Sequence, residues 1–183
     1  MVQALLRSWE VGSWKMSVQD FEIDTDEKRI WPWALNPAVT LLAAADRGSV
    51  VFWDLNDCVE QFRLRCRSRA APGALAFSPD GCRFAVSLSR SIMVCDVSRE
   101  QVIASWNNST TRYVQSLAFS PDGRTLATVS NDAVARLWDA DTGRQKAAYA
   151  WGLGKLKAVA FAPDGMRVAA SGKKGTIIVW DVE

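Results

Sequence analysis

Hydrophobic and polar positions alternate in short runs along most of the chain, and the runs follow a fixed order. The clearest stretch is Leu117 to Gly143, LAFSPDGRTLATVSNDAVARLWDADTG. It holds an apolar run, a turn, an alternating run, a second turn, and a third run ending in Trp138-Asp139. Period-two alternation predicts β-strands. Ser-Pro-Asp-Gly predicts the turn between them, because proline presets φ and glycine accepts a positive φ.

The same order recurs at a fixed interval. Pro79-Asp80-Gly81, Pro121-Asp122-Gly123 and Pro163-Asp164-Gly165 are each 42 residues apart, and Pro37 extends the series by another 42. Trp53-Asp54, Cys95-Asp96, Trp138-Asp139 and Trp180-Asp181 follow at steps of 42, 43 and 42. A period of roughly 40 to 45 residues decides the architecture before any other signal. Within each unit the inner strand carries Trp33-Ala34-Leu35, Leu75-Ala76-Phe77, Leu117-Ala118-Phe119 or Val159-Ala160-Phe161. Large residues flank an alanine each time, which predicts a strand buried on both faces where sheets converge. The second strand is predicted at Leu41–Ala44, Phe84–Ser87, Leu126–Val129 and Val168–Ala170. The third is predicted at Val50–Trp53, Ile92–Cys95, Ala135–Trp138 and Ile177–Trp180. A fourth, outer strand carries Leu64, Trp106 and Tyr149 in one column, with arginines on the wet face of Phe62–Arg67. No helix of consequence is predicted.

These four copies resemble the WD-repeat family of β-propellers. The resemblance implies an all-β fold of four antiparallel, four-stranded blades, forming a partial or half propeller. It implies scaffold more firmly than task, since one fold hosts many functions. The expected division is a remnant last strand of a preceding blade at 1–11, then blades at about 12–55, 56–97, 98–140 and 141–183. Trp9-Glu10 lies 44 residues before Trp53-Asp54, so Leu5–Glu10 has the shape of a repeat ending. Trp14–Asp20 is then expected as the outer strand, with a charged loop at Asp24–Arg29. A rival alignment lays Val18–Ile23 over Val114–Phe119 and stretches the repeat by about ten residues.

Many members of the family join a histidine, a serine, an aspartate and the tryptophan in a buried network. This chain has no histidine. The third unit alone keeps Ser130, Asp132 and Trp138, and the other units place Arg47, Ser89 and Lys174 where the aspartate stands. Apolar packing is expected to do more of the work, because a partly satisfied network costs stability. Cys95, in place of tryptophan, reads as a small buried hydrophobe.

Composition narrows the chemistry. Of 183 residues, 49% are hydrophobic and 23% charged, with a net charge of +2, so charge alone implies neither nucleic acid nor a membrane surface. No apolar run approaches the roughly 18 residues of a membrane helix, and the start lacks a secretory signal. A cytoplasmic protein is expected. The missing histidine excludes Ser-His-Asp and Cys-His catalysis. The four cysteines, Cys58, Cys66, Cys82 and Cys95, have no C-x-x-C spacing, so neither a zinc site nor a disulfide framework is indicated. No cofactor and no catalytic residue are implied. Asp80, Asp122 and Asp164 recur with the turn and read as turn residues, and Asp54, Asp96, Asp139 and Asp181 follow the repeat.

Propeller turns alternate between two rims. One is expected to hold Asp80, Asp122, Asp139, Asp141 and Asp164. The other is expected to hold Arg47, Arg90, Lys173 and Lys174, together with Arg67, Arg69, Arg112, Lys155 and Lys157 from the loops entering the inner strands. The candidate partner-binding rim is therefore Arg47, Arg90, Arg112, Lys155, Lys173 and Lys174, facing an acidic protein segment. The expected function is a non-catalytic scaffold for protein–protein interaction, as part of a larger propeller. The alternative is a regulatory or targeting domain of a multidomain enzyme whose catalytic part lies outside this chain. Four blades cover about half of a wide ring, so both end faces are expected to expose apolar surface. Completion by a longer chain, self-association into an eight-bladed ring, and closure as a small four-bladed ring are the three outcomes.

Overall fold

In the computed structural model, residues 2–9, 16–23, 32–46, 48–66, 72–108, 113–173 and 175–182 are described. The chain divides into two units, Met1–Trp31 and Pro32–Glu183. Among the described residues every regular element is a β-strand.

The first unit contributes a hairpin. β1 (Val2–Trp9) pairs antiparallel with β2 (Met16–Ile23). The expected strand at Trp14–Asp20 is thus placed two residues later at its start, while Trp14 itself and the Asp24–Arg29 loop lie outside the described residues. Trp9 faces Met16 across this hairpin.

The second unit holds four sheets. The first is β3 (Trp33–Leu35), β4 (Leu41–Asp46), β5 (Ser49–Asp54) and β6 (Val59–Arg65). The second is β7 (Pro72–Phe77), β8 (Arg83–Leu88), β9 (Ser91–Asp96) and β10 (Gln101–Asn107). The third is β11 (Val114–Phe119), β12 (Thr125–Ser130), β13 (Val134–Asp139) and β14 (Gln145–Ala150). The fourth has three strands, β15 (Leu156–Phe161), β16 (Arg167–Gly172) and β17 (Ile177–Asp181). Strands follow chain order in every sheet, and all pairings are antiparallel. This is the fold of a partial propeller. The predicted first, second and third strands of each unit all fall inside the observed ones. Repeats closed after each Trp-Asp pair end between the third and fourth strands of a sheet, so the sheets themselves run 33–65, 72–107, 114–150 and 156–181.

Register shows how faithfully the template repeats. Trp53 faces Glu60, Cys95 faces Val102 and Trp138 faces Gln145, each seven residues on. Trp9 and Met16 have the same separation. Bulges recur at Pro72/Ala74, Val114/Ser116 and Leu156/Ala158, where the inner strand enters its sheet. A bulge sharpens local twist.

The core lies between sheets. Phe52, Phe84, Val86 and Cys95 meet between the first and second, with Phe52 stacked on Phe62 at 4.1 Å and edge-on to Phe84 at 4.9 Å. Ile92, Val94, Leu117, Leu126 and Trp138 meet between the second and third. Ala127, Val129, Leu137, Val159, Val168 and Ala170 meet between the third and fourth. The inner triplets are less enclosed than their pattern predicts. Leu117, Phe119 and Val159 are buried, but Trp33 and Ala160 are exposed and the rest are half-buried. A β-strand at the converging edge of two sheets has solvent beyond it, and the small alanine does not seal that side.

Candidate functional site

Each Trp-Asp pair closes a strand and opens a turn, and the aspartate organises that turn. Asp54 Oδ1 accepts from the Asn56 and Asp57 N–H groups at 2.7 and 3.2 Å. Asp96 accepts from the Arg99 N–H at 3.0 Å and the Ser98 hydroxyl at 2.7 Å. Asp139 accepts from the Thr142 N–H at 2.9 Å and its hydroxyl at 2.8 Å. These bonds hold the Asp96 and Asp139 carboxyls below the usual range, led by Ser98 and Thr142 respectively. Asp181 is exposed and stands opposite Arg167 in register.

The Pro-Asp-Gly turns have their own device. Ser78 and Ser120 donate to Asp80 and Asp122, and each serine accepts the N–H of the next strand's first residue at 2.9 Å. The serine bonds are the main reason both carboxyls are held low. In the first sheet Asn36 replaces the serine and accepts from Thr40 and Leu41 N–H at 2.8 and 2.9 Å. There Val39 takes φ 55°, where Gly81, Gly123 and Gly165 stand at 73°, 69° and 74°. A β-branched residue at positive φ is strained.

Ser130, Asp132 and Trp138 do not form one network. The Trp138 Nε1–H donates to Thr128 Oγ1 at 2.8 Å. Ser130 donates to Asp132, which also accepts from the Val134 N–H at 3.0 Å and pairs with Arg136 at 2.8 Å. Burial alone would raise the Asp132 carboxyl, but the Arg136 and Ser130 hydrogen bonds outweigh it and the group is held low. Thr128 and Arg136 are thus the partners that sequence spacing missed. They face each other across β12 and β13, a relation visible only once the register is known. An arginine two residues before Trp138, on the same face of an apolar strand and beside an acidic turn, was the available signal.

The other units handle the tryptophan differently. Register places Ala44 and Ala170 where Thr128 stands, and the buried Nε1 atoms of Trp53 and Trp180 find no acceptor among the described residues. In the second sheet the pair is Val86 with Cys95, both apolar in effect. Cys95 is fully buried, and burial, the largest cause, pushes its thiol up to about 12.

Backbone bonds define the rims. Leu55 bonds Thr40, Val97 bonds Cys82, Ala140 bonds Arg124 and Val182 bonds Met166, all at 2.8–2.9 Å. The Pro-Asp-Gly turns therefore adjoin the turns after Trp-Asp. Asp141 pairs with Arg83 at 2.9 Å, and Arg83 also donates to the Gly123 carbonyl at 2.9 Å, tying the second sheet to the third. Arg99, Lys146 and Arg167 lie within 4 Å of Asp96, Asp139 and Asp164. Asp96, Asp139, Asp141 and Asp164 of this rim are thus each paired with a cation.

At the opposite rim Asn108 bonds Arg90 at 2.7 Å and Lys173 bonds Lys155 at 3.0 Å through the backbone. Lys155 and Lys173 are thereby neighbours. Arg90, Lys155, Lys157 and Lys173 are exposed and make no ion pair with another described residue. The acids at this end, Asp46 and Asp132, are taken up by Arg63 at 2.5 Å and by Arg136. Arg47, Arg67, Arg69, Arg112 and Lys174 lie outside the described residues.

The four cysteines are free thiols. Among the described residues no cluster of side chains could hold a metal ion, and no helix is long and apolar enough to cross a membrane.

A family described as "WD domain, G-beta repeat" matches residues 100–139 and 153–181. The small ribosomal subunit protein RACK1 of Schizosaccharomyces pombe is 26% identical over 113 residues, which cover 57% of this chain and 35% of that protein. The match thus spans about a third of the relative's length.

Proposed function

We propose that this chain of WD repeats, with the fold of a partial β-propeller, is a non-catalytic scaffold that binds a protein partner. We place the contact on the rim that carries Arg90, Lys155 and Lys173, with an acidic segment as its ligand. The observation that carries this reading is the unequal use of charge. On one rim Asp96, Asp139, Asp141 and Asp164 each have a cation within 4 Å, whereas on the other the lysines of the fourth sheet and Arg90 stand exposed without a described counter-ion. Clustered charge of one sign steers and orients an oppositely charged partner. By sequence, Arg47, Arg112 and Lys174 belong to loops of the same rim and extend the proposal.

Similarity to a ribosomal-subunit protein supports an interaction role and a cytoplasmic setting as parts of the same proposal. The β1–β2 hairpin has the same seven-residue register, Trp9 with Met16, as the third and fourth strands of the third sheet, Trp138 with Gln145. We read it as the end of a preceding blade, so that the chain contributes one arc of a larger ring.

The test is binding of a fluorescent glutamate-rich peptide, read by anisotropy across a salt series. Charge reversal at Lys155 and Lys173 should weaken capture at least tenfold, and added salt should weaken the unmodified chain. Equal binding by the reversed variant at every salt concentration would reject this rim.

A further inference from the structure

On the rim that carries Arg90, Lys155 and Lys173, one exposed position is apolar. Tyr113 stands directly before β11, and Lys155 directly before β15. The two places are equivalent. The Tyr113 carbonyl accepts from the Asn131 N–H at 3.2 Å, and the Lys155 carbonyl accepts from the Lys173 N–H at 3.0 Å. Each inner strand then begins by pairing with the end of the next, Val114 with Ser130 and Leu156 with Gly172. The template thus puts a tyrosine on the third sheet where the fourth has a lysine, and that tyrosine is 61% exposed. Among the described residues, it is the one exposed large apolar side chain in a loop of this rim.

The neighbouring sheets fix what lies on either side of it. The third sheet packs between the second and the fourth. Arg90, in the turn between β8 and β9, therefore precedes Tyr113 along the rim, and Lys155 and Lys173 follow it. All four residues are exposed. The order along the rim is cation, aromatic ring, cations. Exposed charge steers and orients a partner more than it holds one, because water and salt screen it. A tyrosine ring adds a large amphipathic contact at little cost in side-chain freedom. Binding energy at interfaces concentrates on such rings.

From this we infer that the acidic partner segment carries a large apolar side chain between its acids, and that Tyr113 is the contact for it. The flanking carboxylates meet Arg90 on one side and Lys155 and Lys173 on the other. Burial of apolar surface does not depend on screened charge, so Tyr113 supplies the share of the affinity that salt leaves in place. Tyr113 has this role only if the partner docks on the basic rim, as proposed above. What it adds is the order of residues in the partner: acid, apolar, acid.

Three fluorescent peptides of equal length and charge test this on the full chain. One has glutamates flanking a central phenylalanine, one has glutamates flanking a central serine, and one has the phenylalanine moved to its end. Binding is read by anisotropy at low and at high salt. The phenylalanine-centred peptide should bind at least about tenfold more tightly than the serine-centred one, with the same ratio at both salt concentrations. Moving the phenylalanine to the end should lose most of that gain. Tyr113→Ala should abolish the gain and leave serine-centred binding unchanged, which also reports an intact fold, and Tyr113→Phe should keep it. Equal binding of the phenylalanine- and serine-centred peptides, a gain that survives Tyr113→Ala, an equal gain from the end-placed phenylalanine, or a loss of both peptides alike in Tyr113→Ala would each overturn the assignment. In those outcomes salt-dependent binding of the serine-centred peptide still upholds the basic rim. Failure of the rim itself looks different: serine-centred binding is absent, or is indifferent to salt and to charge reversal at Lys155 and Lys173, and then both readings fall.

Discussion

Leu137 in the third sheet and Val179 in the fourth occupy one place in the template, yet one is sealed and the other lies open. The same contrast runs through both sheets. Trp138 gives its N–H to Thr128, whereas Trp180 sits against Ala170 and keeps a buried, unpartnered N–H. The third sheet has an outer strand, whereas the fourth ends at β17. A repeat of the sequence is therefore not a repeat of the energetics. Burial depends on the neighbour, and a hydrogen bond depends on one residue in the facing strand. The two sheets also show that the repeated shape holds in the fourth sheet without the hydrogen bond that the third sheet gives its tryptophan. Stacked apolar faces carry the array, and Tyr149, Trp151 and Trp180 pack together at 4.6–5.6 Å where polar satisfaction is missing.

The contrast can be broken most forcefully at Leu137. Leu137→Ala should cost about 3 kcal/mol, as buried leucine truncations do. Val179→Ala, at an exposed position, should cost less than about 0.5 kcal/mol. Urea unfolding of both variants measures the gap, and equal costs would mean that the fourth sheet is covered in solution.

Glycine turns give the next largest difference. A Cβ at Gly143 would come within 2.5 Å of the Trp106 ring, at φ 68°. A Cβ at Gly152, with φ 69°, meets nothing within 4 Å. Gly143→Ala should therefore cost about 3 kcal/mol from crowding plus backbone strain, and Gly152→Ala only the strain, about 1 kcal/mol. Thermal unfolding of the pair checks this.

The charge pair separates the sheets by pH. Asp80, Asp122, Asp132 and Asp139 all have folded-state carboxyls held low, three of them in the second and third sheets' Ser-linked turns. Their stabilisation is present above the unfolded carboxylate pKa of about 4 and is lost as pH falls through the lower folded values. Stability should be level from about pH 7 to 5 and should fall below about pH 4. Asp132→Asn should flatten that fall and, by stranding Arg136, lower stability at neutral pH by about 2 kcal/mol. A thermal-midpoint series across pH on both proteins decides it.

The smallest effects are gains. Ala170→Thr offers Trp180 the acceptor that Thr128 gives Trp138, and should add about 1 kcal/mol. Val39→Gly should relieve the positive φ in the first sheet's turn and add a similar amount. Calorimetry on each single variant reads the increment.

The period of 42 residues made the strands legible, because turn residues and period-two alternation repeat together. Pairing across strands was not. Ser130 and Asp132 lie two apart in sequence and looked like partners of Trp138, but the tryptophan reaches Thr128 on β12, two residues along from Leu126, which stands opposite it. Which residue that is depends on the register of β12 against β13, which no single residue in the sequence encodes. The strain at Val39 was hidden for a similar reason, since Asn36-Pro37-Ala38-Val39 reads as an ordinary turn until φ is known. Charge segregation was half visible. Lysines at turns could be counted, whereas the pairing of Arg83 with Asp141 across two sheets could not.

The burial of Cys66 and Cys95 between the first and second sheets makes these thiols internal clocks. Desolvation pushes Cys66 up to about 11 and leads the rise of Cys95, so neither forms the nucleophilic thiolate at neutral pH while the sheets are closed. Cys58 and Cys82 are exposed and should be modified at once by an alkylating reagent. The two later modifications would then be timed by local opening of that core, so reagent uptake counts how often the first two sheets part.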